Sequence, residues 1–299
     1  MNGEERFNRL KSRLEKKLLF LEDKSEETVD STIKALWFAS IGSPISCEEA
    51  VKLPLPELSR QQIRTFYRLL AQRLNNKPLA HIIGRQNFMG IELISDHRAL
   101  IPRKETEILG KRALELSYQL VQQKHSVKVI DMGCGGGNLG LALAYYNPNT
   151  FVYASDLSFE ALELAHENIS FLNLEDRVLT KQGDLFEPFE NESFYEQIDL
   201  IVCNPPYISS SNVPKMNVEI SAYEPVLAFD GGIFGINMVK KLVAEAPKFL
   251  TKSGWLIFEV GLGQGPFMMQ LCKNTNKYYQ VESVTDNKGN FRAILARKQ

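Results

Sequence analysis

From residue 127 to the C-terminus short apolar runs alternate with helical stretches, and this alternation restricts the possible folds more than any other feature of the chain. Residues 127–132, 151–155, 178–181, 198–203, 255–260 and 291–296 read as strands. Residues 159–171 and 238–250 read as helices, and another helix runs through Leu139, Leu141 and Leu143. Parallel strands need a long crossover between them, and helices of this size supply it. The pattern therefore predicts an α/β fold, a mostly parallel sheet with helices on both faces.

The upstream part has a different period. Phe7, Leu10, Leu14 and Leu18 recur at helical spacing, and so do Ile63, Tyr67, Leu70 and Leu74. Gly42, Ser43, Pro44, Pro54 and Pro56 cut this stretch into short helices. The basic residues at 11, 13, 16 and 17 read as a solvated helix face. Residues 86–93 alternate partially, and Asp96 and His97 mark a turn before Ala99, Leu100 and Ile101, as in a hairpin. A length of 299 residues suits two domains. The expected division is a helical domain over 1–80, a hairpin linker over 81–108 and an α/β domain over 109–299.

Composition removes several function classes. Lys and Arg number 35 against 36 Asp and Glu, a net charge of −1, whereas proteins that hold nucleic acid through its phosphates are usually basic. Stable nucleic-acid binding is thus not expected. Cys47, Cys134, Cys203 and Cys272 form no CxxC pair, and His81, His97, His125 and His166 are equally scattered. Reduced thiols are expected, with neither a metal site nor a histidine-based centre. The charged N-terminus lacks an apolar signal region and no run approaches a membrane span, so a cytoplasmic location without membrane attachment is expected.

Four constellations carry chemistry. The first runs Asp131-Met132-Gly133-Cys134-Gly135-Gly136-Gly137-Asn138, directly after a strand and opening a helix. Glycines there let the backbone approach a ligand closely. In a dinucleotide fingerprint the third glycine would fall one place later, where Asn138 stands. The acid-x-G-x-G-x-G spacing instead fits the amino-acid end of S-adenosylmethionine. A merely tight turn would need two glycines and not four. Second, Asp156 lies about 20 residues further on, where an acid reaches ribose hydroxyls; capping the helix that starts near Ser158 is an equal alternative. Third, Asp184 and Leu185 follow the strand 178–181 and offer a carboxylate and an apolar face to an adenine ring, although one loop aspartate is unremarkable by itself.

The fourth is Asn204-Pro205-Pro206-Tyr207, immediately after the strand 198–203. The prolines fix the backbone and remove two donors, so the loop presents carbonyls. The Asn204 oxygen and the Pro205 carbonyl form a rigid acceptor pair suited to an –NH2 group, and Tyr207 can pack on its flat face. Beside the glycine loop, a plain proline-stiffened turn explains less.

The tetrad resembles that of methyltransferases acting on exocyclic or amide nitrogens in DNA adenine, rRNA guanine and protein glutamine. From about residue 75 the chain is similar to the release-factor glutamine methyltransferases. The likeness rests on Pro102-Arg103-Lys104-Glu105-Thr106-Glu107, on Pro78-Leu79-Ala80-His81-Ile82-Ile83-Gly84, and on the stretch from Glu224 and Pro225 to Gly231 and Gly232. Glu259, Val260, Gly261, Gln264, Asp286 and Arg292 match further positions. Lys104 stands where proline is usual, Phe234 where an acid is usual, and residues 1–80 carry few of the family's residues.

The resemblance implies a Rossmann-like class I methyltransferase with a seven-stranded sheet, a helical substrate-docking domain and a hairpin between them. It implies that Asp131, Gly133, Cys134, Gly135, Gly136 and Gly137 hold the methionine part of S-adenosylmethionine, Asp156 its ribose, and Asp184 with Leu185 its adenine. Asn204 and Pro205 would be catalytic, Asn204 also touching the cofactor where the two pockets meet, with Pro206 and Tyr207 completing the substrate pocket. The implied reaction is methylation of a glutamine side-chain nitrogen in the Gly-Gly-Gln loop of peptide-chain release factors, by a monomer, leaving S-adenosylhomocysteine and using no metal. The alternatives are N-methylation of another protein or a small molecule, methylation of a nucleic-acid amino group, and a non-enzymatic cofactor-binding module. The first would share the scaffold, the second would bring a basic face, and the third a damaged tetrad or glycine loop.

Overall fold

The computed structural model describes residues 3–21, 23–232 and 236–299. In chain order it begins with α1 (Gly3–Leu14), α2 (Val29–Ser40), α3 (Cys47–Ala50), α4 (Arg60–Leu74) and α5 (Leu79–Ile83). The strands β1 (Arg85–Phe88) and β2 (Ile91–Ile94) follow, then α6 (Thr106–Lys124), β3 (Val127–Met132), α7 (Asn138–Tyr146) and β4 (Thr150–Asp156). Next come α8 (Phe159–Phe171), β5 (Val178–Gln182), β6 (Ile198–Cys203) and the short α9 (Val218–Ser221). The chain ends with α10 (Asn237–Phe249), β7 (Leu250–Glu259), α11 (Gly265–Asn274), β8 (Tyr278–Thr285) and β9 (Phe291–Lys298).

These elements form two compact units. The first comprises Met1–His97, Ile101–Lys104 and Asn217–Glu224. Capping boxes at Thr28/Ser31 and Ser59/Gln62 start α2 and α4, satisfying amide groups that a helix leaves without internal partners. The core face of α4 is Phe66, Leu70 and Arg73, whereas Tyr67 is 47% and Leu74 39% exposed. Of the stripe expected along Ile63, Tyr67, Leu70 and Leu74, Leu70 is buried, while Phe66 and Arg73 take the inward places of Tyr67 and Leu74. Phe66 fills the space under Trp37, with ring centroids 5.5 Å apart, and α1 stops at Leu14 instead of continuing to Leu18. β1 and β2 pair as an antiparallel hairpin, with Arg85 opposite Ile94 and Phe88 opposite Ile91.

Arg73 faces inward because a buried ion-pair cluster receives it. Lys24 lies 2.7 Å from Glu219, and Arg73 lies 2.8 Å from Glu219 and 3.0 Å from Glu27. Burial pushes the Glu219 carboxyl up, but Lys24 and Arg73 outweigh it and hold it below the ordinary glutamate value. Glu224 likewise binds Arg103 at 2.5 Å and accepts the Ile101 N–H at 3.0 Å. Two buried carboxylates thus fasten Asn217–Glu224 into the first unit.

The second unit is built on a seven-stranded sheet in the order β5-β4-β3-β6-β7-β9-β8. β3 to β7 run parallel, and β9 runs against both β7 and β8. Every residue of β6 is buried, as expected of a central parallel strand covered on both faces. α11 and β8 have no counterpart in the sequence reading, which assigned only the closing strand after residue 260.

Candidate active site

β3 leads to β4 and β5 on one side, and the chain then crosses over to β6 on the other. Ligands in open α/β sheets bind beyond the carboxyl ends of the strands at such a reversal. The registers place Ser155 opposite Met132, Met132 opposite Cys203, and Cys203 opposite Phe258. One residue further along, Asp156, Gly133, Asn204 and Glu259 follow one another across four neighbouring strand ends, with strands about 4.8 Å apart. Two of the sequence constellations, the glycine loop and the Asn-Pro-Pro-Tyr tetrad, therefore leave the sheet side by side.

The glycine loop needs its glycines. Gly133, Gly135 and Gly137 have φ of 66°, 54° and 87°, a left-handed backbone that other residues adopt only under strain. The loop is pinned to β4, since Cys134 N–H donates to the Ser155 carbonyl at 2.9 Å and Gly135 N–H to Asp156 Oδ2 at 2.8 Å. Asn168 donates to the Gly136 carbonyl at 3.0 Å. Burial pushes the Cys134 thiol well above its ordinary range, which leaves its backbone as the part that shapes the loop.

Asp156 is not the cap of α8. The Ser158 hydroxyl accepts the Ala161 N–H at 3.2 Å and caps that helix, while Asp156 Oδ1 accepts the Ser158 N–H at 2.9 Å. Its carbonyl also accepts the Gly183 N–H at 3.1 Å, which ties the third constellation to the first two. Beyond Gly183, Asp184 is exposed and 3.9 Å from Lys241. Leu185 has φ of 47°, strained for a leucine, and its side chain joins the core around Phe186.

Asp131, next to last in β3, has only half its hydrogen bonds made. Oδ2 accepts the Gly140 N–H at 2.8 Å, and Oδ1 has no partner among the described residues although the side chain is 1% exposed. Burial, with the Asp156 charge adding to it, pushes this carboxyl up to about 7.

On the other side of the reversal, Pro205 is buried and Asn204, Pro206 and Tyr207 are half-buried. Asn204 Nδ2 donates to Thr106 Oγ1 at 3.1 Å, and the Tyr207 hydroxyl donates to Glu259 Oε1 at 3.2 Å. Gln264 donates to the Tyr207 carbonyl at 3.2 Å and accepts the Gly261 N–H at 3.0 Å. Ile208 bridges to Asp230, so the stretch after Glu224 and Pro225 lies along the segment that leaves the tetrad. Thr106, Glu259 and Gln264 received no role from the sequence, although all three lie in the motifs that carry the resemblance. Of the two departures, Lys104 pairs with Glu48 at 2.6 Å in the first unit, and Phe234 lies outside the described residues. Among the described residues no group of three or more His, Cys, Asp or Glu could hold a metal, and no helix is long and apolar enough to cross a membrane.

A seven-stranded sheet with its last strand reversed, and a glycine loop after β3, define an S-adenosylmethionine-dependent methyltransferase. A family model described as the methyltransferase small domain matches residues 112–222. The catalytic domain of hMettl16, solved with the MAT2A 3′UTR hairpin 6, shares the fold, with a TM-score of 0.53 at 14% identity over 69% of this chain and 75% of that one. The release factor glutamine methyltransferase of Thermosynechococcus vestitus is 35% identical over 247 residues, 83% of this chain and 81% of that protein. The enzyme of the same name from Thermodesulfovibrio yellowstonii is 32% identical over 243 residues, 81% of this chain and 84% of that protein. The chain belongs to the release factor glutamine methyltransferase family.

Proposed function

We propose that this protein methylates the side-chain nitrogen of a glutamine, that of the Gly-Gly-Gln loop of peptide-chain release factors. The observation that carries the proposal is the register of Met132 against Cys203, which sets an acceptor-rich loop beside a glycine cradle on adjacent strand ends.

Gly133, Cys134, Gly135, Gly136 and Gly137 would hold the amino-acid end of S-adenosylmethionine, Asp156 its ribose, and Asp184 with Leu185 its adenine. When bound, that group supplies an electrophilic methyl on a sulfonium centre. The unmatched Asp131 Oδ1 fits a cationic group such as the ammonium of the methionine part. An amide nitrogen is a poor nucleophile because its lone pair is delocalised. Asn204 Oδ1 and the Pro205 carbonyl would accept its two N–H bonds, return electron density to nitrogen and aim it. Positioning of this kind supplies on the order of 7–11 kcal/mol. Acceptors preset for positive charge on nitrogen act more strongly in the transition state than before it. Pro206 and Tyr207 would close the pocket. Residues 1–80 would dock the protein substrate, with 81–108 as linker and 109–299 as the catalytic domain, in a cytoplasmic monomer that binds no nucleic acid stably.

Asp131 leads to a prediction about pH. A carboxyl raised to about 7 keeps a proton that the unfolded chain has lost. Its stabilising contribution is full below the ordinary aspartate value and disappears as pH rises through about 7. The cofactor-free protein should therefore lose thermal stability from about pH 4 to about pH 7, and Asp131→Asn should remove part of that loss, the raised Glu259 carboxyl contributing to the rest. The same substitution should weaken S-adenosylhomocysteine binding at least about tenfold by calorimetry, since it removes a charged acceptor. Unchanged binding would remove Asp131 from the cofactor site.

The direct test is transfer of labelled methyl to a release factor carrying either Gly-Gly-Gln or a Gln→Ala version of that loop. Label confined to the intact loop is the expected result. Label on both, or on neither while the cofactor still binds, would move the substrate elsewhere.

A further inference from the structure

Behind the tetrad lies a hydrogen-bond chain that the proposed reaction does not yet use. It runs from Asn204 Nδ2 to Thr106 Oγ1 at 3.1 Å, and from the Thr106 hydroxyl to the Glu259 carboxylate, which also accepts the Tyr207 hydroxyl at 3.2 Å. Thr106 is 1% and Glu259 3% exposed, so water does not replace these partners.

We propose that Thr106 and Glu259 are positioning residues that fix which end of the Asn204 amide faces the substrate. An asparagine amide has nearly the same shape in its two flipped orientations, so hydrogen bonding alone selects between them. A hydroxyl has one proton. An ionised Glu259 has none to give, so it draws the Thr106 proton toward itself. Thr106 then has only lone pairs left for Asn204, and the –NH2 end must turn to it. The Asn204 oxygen is left for the substrate. In the flipped orientation the Asn204 oxygen would face the Thr106 oxygen, and its –NH2 group would meet the substrate –NH2 group, donor against donor. The inference rests on the reading of Asn204 as the acceptor of an amide or amino nitrogen.

Protonation of Glu259 should reverse the chain. The carboxyl would then donate to Thr106, the Thr106 proton would swing to Asn204, and the amide would flip. Burial, with the Glu105 carboxylate adding to it, pushes Glu259 up, while Thr106, Tyr207 and Arg292 pull it back, and it settles at about 7. Arg292 is itself held by Asp286 at 3.1 Å and lies 3.9 Å from Glu105. Cys203 is a further titratable neighbour, whose thiol burial keeps protonated.

The test uses the full-length protein without cofactor, labelled with nitrogen-15, with the Asn204 side-chain –NH2 signals assigned by their loss in Asn204→Ala. In the wild type these signals should shift with a midpoint near pH 7, and the shift should vanish in Glu259→Gln. In Thr106→Val they should sit at a different, pH-independent position, and Thr106→Ser should restore the wild-type behaviour. On a Gly-Gly-Gln substrate Thr106→Val should lose on the order of 10- to 100-fold in kcat. Its S-adenosylhomocysteine affinity should stay within about twofold, and Thr106→Ser should recover most of the rate. Should Glu259→Gln fail to fold, the two Thr106 variants decide the matter. An Asn204 signal that titrates unchanged in Thr106→Val, or a wild-type kcat for that variant, overturns the relay. A wild type with no activity on the glutamine loop overturns the proposed substrate instead, and the apo spectra still judge the relay.

Discussion

Asn204→Ala should lose on the order of 10²–10³-fold in kcat while S-adenosylhomocysteine still binds within about twofold of the wild type. The expectation follows from where the side chain sits. It leaves the end of β6, its Nδ2 is held by Thr106, and its oxygen is one of two acceptors proposed for the nitrogen that is methylated. Alanine removes that acceptor and leaves the Thr106 lone pair unmet, but it touches none of the hydrogen bonds that pin the glycine loop to β4. The effect should thus fall on the chemical step and not on cofactor affinity. Single-turnover methyl transfer with calorimetric binding separates the two. A variant that lost cofactor affinity and kept its single-turnover rate would assign Asn204 to the cofactor instead.

The second large effect is on stability. Glu219→Ala should lower the stability of the first unit by about 3–5 kcal/mol, the usual cost of removing one partner from a buried ion pair. Glu219 bridges Lys24 at 2.7 Å and Arg73 at 2.8 Å, and Glu27 alone cannot satisfy both cations. The chain has two tryptophans, and Trp37 lies in the core of the first unit while Trp255 lies in β7 of the second. In a Trp255→Phe background, fluorescence therefore reports the first unit alone. Its denaturant midpoint should fall sharply in Glu219→Ala. An unchanged midpoint would mean that Lys24 and Arg73 find other partners once Glu219 is gone, and would overturn the prediction.

Glu219 also marks what sequence patterns leave out. It sits ten or so residues past the tetrad, inside a stretch that joins two parts of the second unit, yet it folds with helices from the N-terminal region. Nothing local announces this. A glutamate on a four-residue helix reads as solvated until its cations arrive from residues 24 and 73. The same holds for α4, where a stripe through Tyr67, Leu70 and Leu74 fits helical spacing as well as the observed face of Phe66, Leu70 and Arg73. Periodicity fixes that a helix has a buried face, while the neighbouring elements fix which face it is.

Local physics was enough for much else. The strands β3 and β6 and the helix α8 fall where apolar runs and the Ser158 cap place them, because short-range patterning and steric limits act within a few residues. The glycine loop was legible because its backbone demands glycine at Gly133, Gly135 and Gly137, and the tetrad because two prolines after a buried strand allow few conformations. Tertiary structure alone decided the choice between cap and loop partner for Asp156, the half-met carboxylate of Asp131 and the alignment of Gly133 with Asn204. It alone joined Thr106 and Glu259 behind the tetrad from positions 98 and 55 residues away from Asn204 and across the sheet. Those features depend on strand register and on which buried donor meets which acceptor. Such pairings are set by the folded whole and by no segment of it.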